Sequence, residues 1–226
     1  MCSLLQCFAD HFGFDRFNVL GGSWGGTLAL ALAAYKPKRI AGLVLRAPFI
    51  PWHLRVDAFF AELENIAPEF FMTHMGRGAR TAEICQRMLN AKPDVQLRTA
   101  HAWSRLESAL LGAGGNLDGR APVLNSEQQF ALLRKYRLQA HFLAHECFLP
   151  PAEWAGVIEL VNQQGWPVSI VQGTADKVCP PAGAAFLSEL IPRSKLTLLD
   201  GVGHLPDSKG MFNAVTRVVG NFVISP

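Results

Sequence analysis

Apolar residues along this chain fall into two textures. Residues 16–20 (Arg-Phe-Asn-Val-Leu), 40–45 (Ile-Ala-Gly-Leu-Val-Leu), 167–172 (Pro-Val-Ser-Ile-Val-Gln) and 195–199 (Lys-Leu-Thr-Leu-Leu) are short runs in which half or more of the side chains are apolar. Runs of that length read as strands, and the second, an unbroken apolar run, fits a parallel strand covered on both faces. Helical spacing lies between them. It covers 4–12, closed by Gly13; 27–35, rich in Ala and Leu and halted before Pro37; 182–190; and about 210–222. From Pro51 to about Pro151 strand-like runs are scarce, and aromatics, charges and helical periodicity take over. There the spacing predicts helices over 56–63, 81–89, 95–110 and 126–147, with a flexible Gly-rich loop at 112–119. The order is strand–helix–strand, a helical insertion, then strand–helix–strand–helix. That alternation belongs to an α/β protein with a parallel sheet. The expected division is a first part of the sheet core at 1–50, a helical cap at 51–151, and a second part of the core at 152–226. The insertion follows the carboxyl end of a strand, where loops build binding sites.

Composition narrows the class. Half of the 226 residues are hydrophobic and 17% are charged, so the chain buries a core and is not disordered. The net charge is only +3. Its densest basic spot, Lys36, Lys38 and Arg39, reads as a solvated helix end and not as a nucleic-acid footprint. Cys2, Cys7, Cys85, Cys147 and Cys179 are odd in number and form no C-x-x-C pair. Free thiols in a reducing compartment are expected. No basic segment followed by an apolar core opens the chain, and its most apolar stretch is short for a bilayer span. The expectation is a soluble, cytoplasmic protein with no membrane or nucleic-acid partner.

The most informative local pattern is Gly21-Gly22-Ser23-Trp24-Gly25-Gly26, a G-x-S-x-G run between an apolar strand and a helix-forming stretch. This is the setting of a nucleophile elbow, in which a serine is lifted above the sheet on a strained strand-to-helix turn. The flanking glycines are needed because strand and helix nearly touch there. The N–H of Trp24, at the helix start, is a candidate oxyanion donor. A serine hydroxyl needs a base, and the base an acidic partner. Asp176, in Gly173-Thr174-Ala175-Asp176, and His204, in Asp200-Gly201-Val202-Gly203-His204, each directly follow a predicted strand. Ser23, Asp176 and His204 thus come in the chain order of an α/β-hydrolase triad. His141 and His145 have i,i+4 spacing with Glu146 beside them, but the run is H-x-x-x-H-E and lacks an obvious third ligand. A helix face is the better reading, and no metal is expected.

With these residues the chain resembles the proline iminopeptidases of the α/β-hydrolase superfamily. The resemblance rests on Gly-Gly-Ser-Trp-Gly-Gly-Thr-Leu-Ala-Leu at 21–30 and on Lys38-Arg39-Ile40 leading into Leu43-Val44-Leu45-Arg46. Gly173-x-x-Asp176-x-x-Cys179-Pro180 and Gly201-x-Gly203-His204 also carry it. It implies an α/β-hydrolase fold with a helical cap, and release of N-terminal proline from short peptides through an acyl-enzyme, with no cofactor. Ser23, Asp176 and His204 would be the triad, Arg46 and Phe49 would line the substrate pocket, and Cys179 would lie near the proline ring. Trp103-Ser104-Arg105-Leu106-Glu107 resembles the family's Trp-Ser-x-Trp-Glu, making Glu107 a candidate for binding the substrate's free amine. The family's second cap glutamate aligns with Gln139, which accepts a hydrogen bond but carries no charge. Glu146, seven residues further on, is a candidate to compensate. The family also has a long N-terminal portion with a His-Gly-Gly-Pro-type loop that supplies a second oxyanion N–H. Only 22 residues precede Ser23, so the chain is expected to be the C-terminal part of a longer hydrolase. An esterase or amidase with the same triad, and a non-catalytic remnant without the oxyanion loop, stand as alternatives.

Overall fold

A computed structural model describes residues 2–51, 53–112, 117 and 122–223. In chain order the elements are α1 (Cys2–His11), β1 (Phe17–Gly22), α2 (Trp24–Tyr35), β2 (Ile40–Arg46), α3 (His53–Ile66), α4 (Pro68–His74), α5 (Thr81–Asn90), α6 (Pro93–Leu110), α7 (Ser126–Ala144), α8 (Pro151–Asn162), β3 (Val168–Gly173), α9 (Pro181–Leu190), β4 (Lys195–Leu199) and α10 (Lys209–Val223). They form two compact units, Met1–Ile50 with Pro151–Pro226, and Pro51–Pro150.

The first unit is an α/β sheet unit. Its four strands are parallel and ordered β1-β2-β3-β4. Gly22 pairs with Arg46, Arg46 with Val171, and Gly173 with Leu199. The carboxyl ends therefore finish nearly level, and the loops that follow them emerge along one rim. Every residue of β3 is buried, as its apolar run requires. Helix α2 packs on β1 and β2. Its small Ala29 and Ala33 alternate with Leu30 and Leu32, all buried, which lets the helix approach the strands closely. Helix α10 covers β2 and β3. Gly42 is needed beneath it, because a Cβ there would stand 2.7 Å from Phe222 Cδ1.

Helix α8 packs against α2 through Trp154, Ile158 and Val161. These positions follow the i, i+4, i+7 rule of a buried helical stripe, yet neither α8 nor α4 was among the helices expected from the sequence. Both edge strands are poorly covered: β4 has no buried residue and β1 has one, Gly21. Leu20 is 54% exposed, and so are large parts of Leu4, Phe8, Phe12 and Phe14. The rings of Phe8 and Phe12 are 4.8 Å apart, and those of Phe12 and Phe14 6.2 Å.

The second unit is all helical among its described residues. Phe60, Trp103 and Tyr136, from α3, α6 and α7, form its aromatic centre, with ring centroids 5.0 and 5.2 Å apart. Phe71, Ile84, Met88 and Leu106 are buried with them. Helix α7 starts on a reciprocal cap: Gln128 N–H donates to Asn125 Oδ1 at 2.9 Å, and Asn125 N–H donates to Gln128 Oε1 at 3.0 Å. The sequence pattern carried this helix to residue 147, but it ends at Ala144. Glu146, Cys147 and Phe148 then take φ of 49, 57 and 56°. That turn buries Cys147 and stacks the Phe148 ring on His145 at 5.1 Å. Packing overrides helix propensity here. Of the loop expected at 112–119, Gly112 is left-handed at φ 68°, and 113–116 and 118–119 lie outside the described residues. No helix among the described residues is long and apolar enough to cross a membrane.

Candidate active site

At the rim, the chain passes from β1 to α2 through a single residue, Ser23. Ser23 has φ 54° and ψ −124°, a region that a residue with a Cβ occupies only when its surroundings impose it. Three hydrogen bonds impose it. Ser23 N–H donates to Arg46 O at 2.9 Å, and Ser23 O accepts from Gly26 N–H at 2.9 Å and Phe49 N–H at 3.0 Å. Thr27 Oγ1 donates to Phe49 O at 2.6 Å, closing α2 onto the segment after β2. A Cβ on Gly21 would stand 2.6 Å from the carbonyl carbon of Gly25, so the incoming strand and outgoing helix touch backbone to backbone. Trp24 is the first residue of α2, and its ring lies 6.0 Å from that of Phe49.

Asp176 and His204 meet in the loops after β3 and β4. His204 Nδ1 lies 2.7 Å from Asp176 Oδ2, with the carboxylate fully buried and the imidazole 11% exposed. The carboxylate is held on every side. Val178 N–H and Cys179 N–H donate to Oδ1 at 2.9 and 2.8 Å, and Gln172 Nε2 donates to Oδ2 at 3.3 Å. Gln172 Nε2 also donates to Gly173 O and Cys179 O. The opposite amide orientation would set its oxygen against three oxygens. The two loops are stitched together as well. Ala175 N–H donates to Val202 O at 3.0 Å, and Gly201 N–H donates to Thr174 Oγ1 at 2.9 Å. A Cβ on Gly173 would stand 2.7 Å from the Val202 carbonyl carbon, and Gly201 turns at φ 66°. An imidazole bound through Nδ1 to a buried carboxylate is fixed in the tautomer that leaves Nε2 to accept a proton.

Two side chains connect this pair to the elbow. Cys179, whose N–H holds Asp176, brings its Sγ within 4.0 Å of Ser23 Oγ. Among the described residues no hydrogen bond joins Ser23 Oγ to His204 itself. Burial, reinforced by Asp176, pushes the Cys179 thiol up to about 12. Arg46, at the end of β2, donates from Nη1 to the backbone carbonyl of His204 at 2.7 Å. Burial lowers its pKa from the usual guanidinium value, against the opposing pull of Cys179 and Asp176.

Glu107 and Gln139 belong to the helical unit. Glu107 Oε2 accepts from Lys135 Nζ at 2.7 Å and from Tyr136 Oη at 2.6 Å. The tyrosine is buried, and burial, followed by the adjacent carboxylate, drives its pKa far above that of a free phenol. Gln139 is half-buried on α7, one turn beyond Lys135 and Tyr136 on the same helix face. Glu146 opens the left-handed turn after α7. The His141 and His145 rings are 4.5 Å apart, and His145 Nδ1 engages His141 O at 2.7 Å. Sequence reasoning missed Gln172. Its signal was a primary amide at the end of a mostly aliphatic strand, four residues before the acid.

Comparison with known proteins gives this geometry a context. The profile of the alpha/beta hydrolase fold family matches residues 1–206. A proline iminopeptidase from Arabidopsis thaliana is 26% identical over 92% of this chain, which spans 56% of that protein's length. A probable proline iminopeptidase from Leptolyngbya boryana is 27% identical over 99% of the chain and 70% of its own length. Among solved structures, an esterase from Rhodococcus sp. ECU1013 superposes over 99% of this chain and 71% of its own at a TM-score of 0.59 and 18% identity, a likeness of fold.

Proposed function

The chain belongs to the alpha/beta hydrolase fold family, and from that premise we propose that it is a serine hydrolase that releases N-terminal proline from short peptides. The observation that carries serine hydrolysis is the 2.7 Å pair of His204 and the fully buried Asp176, on the same rim as Ser23 with its left-handed backbone. Ser23 Oγ attacks the scissile carbonyl while His204 Nε2 takes the hydroxyl proton. Trp24 N–H, at the start of α2, holds the oxyanion. His204 returns the proton to the leaving amine, and the acyl group stays on Ser23 until a water, deprotonated by the same imidazole, releases it.

Specificity for proline is supported by the proline iminopeptidase relatives. The family resemblance offers Glu107 as the carboxylate for the free amine, and Phe49 and Cys179, beside Ser23, as the lining for the ring. A second proposal, a plain esterase or amidase, is favoured by one feature. Glu107 is already neutralised by Lys135 and hydrogen-bonded by Tyr136, and Gln139 adds no charge.

Proline and alanine arylamides assayed beside a simple aryl ester separate the two. Preference for proline arylamide, abolished when its nitrogen is acetylated, supports the aminopeptidase, whereas indifference to a free amine supports the esterase. A fluorophosphonate probe that labels wild type but not Ser23→Ala supports the nucleophile. Folded wild-type protein that takes no label overturns serine hydrolysis.

A further inference from the structure

Arg46 has a place in the geometry that lining a pocket does not explain. It ends β2, where it pairs with Gly22 in the strand register. Its backbone carbonyl accepts the N–H of Ser23 at 2.9 Å. Its side chain lies across the bare face of Gly22, where a Cβ would stand 2.6 Å from Nε. From there Nη1 donates to the carbonyl of His204 at 2.7 Å, 158 residues away in sequence. One residue therefore fixes the backbone of the nucleophile with its main chain and that of the histidine with its side chain.

The His204 loop needs such an anchor. Asp176 fixes the imidazole through Nδ1, but the hydrogen bonds that stitch the loop to the segment after β3 stop at Val202. The carbonyl of His204 is the next backbone acceptor with a partner, and that partner is Arg46. A charged donor makes this bond stronger than a neutral one, and partial burial shields it from competing water.

We propose that Arg46 is a positioning residue, a clamp across Gly22 that holds the His204 backbone, and through it the imidazole, at a fixed distance from the Ser23 elbow. The role rests on the serine-hydrolase proposal. With Gly22 bare, the guanidinium lies across its face, where a Cβ would push it aside. Positional errors of about 1 Å at a reacting group cost about 10²-fold in rate.

The test is a double-mutant cycle on the rate of Ser23 labelling by a fluorophosphonate, with KM and kcat on the best substrate alongside. Arg46→Met is expected to slow labelling by about 10²-fold and to lower kcat with little change in KM. Arg46→Lys keeps the charge on a single donor and is expected to recover part of the loss. Gly22→Ala pushes the flexible guanidinium aside and is expected to slow labelling too, and Arg46→Met with Gly22→Ala together to be no slower than Arg46→Met alone. Labelling of Arg46→Met at the wild-type rate, or penalties that multiply, would overturn the clamp. A loss confined to KM would make Arg46 a substrate-binding residue and overturn it as well. If wild type takes no label, the hydrolase proposal falls and the clamp is judged by NMR of the His204 Nδ1–H proton. A resonance that is sharp in wild type and broadened in Arg46→Met upholds the clamp, and one unchanged by the substitution refutes it.

Discussion

Ser23 spends conformational energy that a glycine would not. A residue with a Cβ at φ 54° stores about 1–3 kcal/mol of strain, and only the hydroxyl explains a serine there. Ser23→Ala and Ser23→Gly remove the same hydroxyl but differ in that strain. Ser23→Gly is expected to be the more stable of the two by about 1 kcal/mol in urea denaturation, while neither takes up a fluorophosphonate. The cysteines make a second residue-scale case. Burial raises the thiols of Cys85, Cys147 and Cys179 to about 12. A raised thiol pKa keeps the neutral, unreactive form through the working range and well above it. At pH 8 iodoacetamide is expected to modify exposed Cys7 first and these three only after unfolding, as peptide mapping of native and denatured protein would show.

At the scale of elements, what was legible in the sequence had local causes. The four strands were readable because each is a compact apolar run, and α2 because Ala and Leu repeat without interruption before Pro37. Asp176 and His204 could be singled out because each follows a strand directly, a relation that needs only chain order. The end of α7 could not be read. No glycine or proline marks it, and what stops the helix is a buried Cys147 and a ring stacked from Phe148 onto His145, contacts between side chains that local propensity does not encode. Arg46 was named from the resemblance as a pocket residue, and its bond to the His204 carbonyl, spanning 158 positions, leaves no local trace in the sequence. The beginning of α7 is the opposite case, written plainly as Asn125-x-x-Gln128. Asn125→Ala removes one half of the reciprocal cap and is expected to destabilise the helical unit by about 1 kcal/mol, measured as a shift of its chemical unfolding midpoint.

For the molecule as a whole, the distribution of exposed apolar surface is the property with physical consequences. Leu4, Phe8, Phe12, Phe14 and Leu20 stand uncovered on α1, the turn after it and β1. The outer edge of β1 has no strand partner among the described residues. An open edge beside apolar side chains is a template for association. Leu20→Lys places a charge on that strand and is expected to raise the concentration at which the isolated chain self-associates, followed by static light scattering, without altering its circular dichroism.

The residues proposed for bond cleavage, Ser23, Asp176 and His204, all come from segments 1–50 and 151–226, whereas residues 51–150 close on an aromatic centre of their own. Under the proposed function, all three reacting side chains lie outside the intervening hundred positions, so substitutions there leave the reacting set itself unaltered. A laboratory chimera that grafts a foreign helical insert between Ile50 and Pro151 would exploit the same separation.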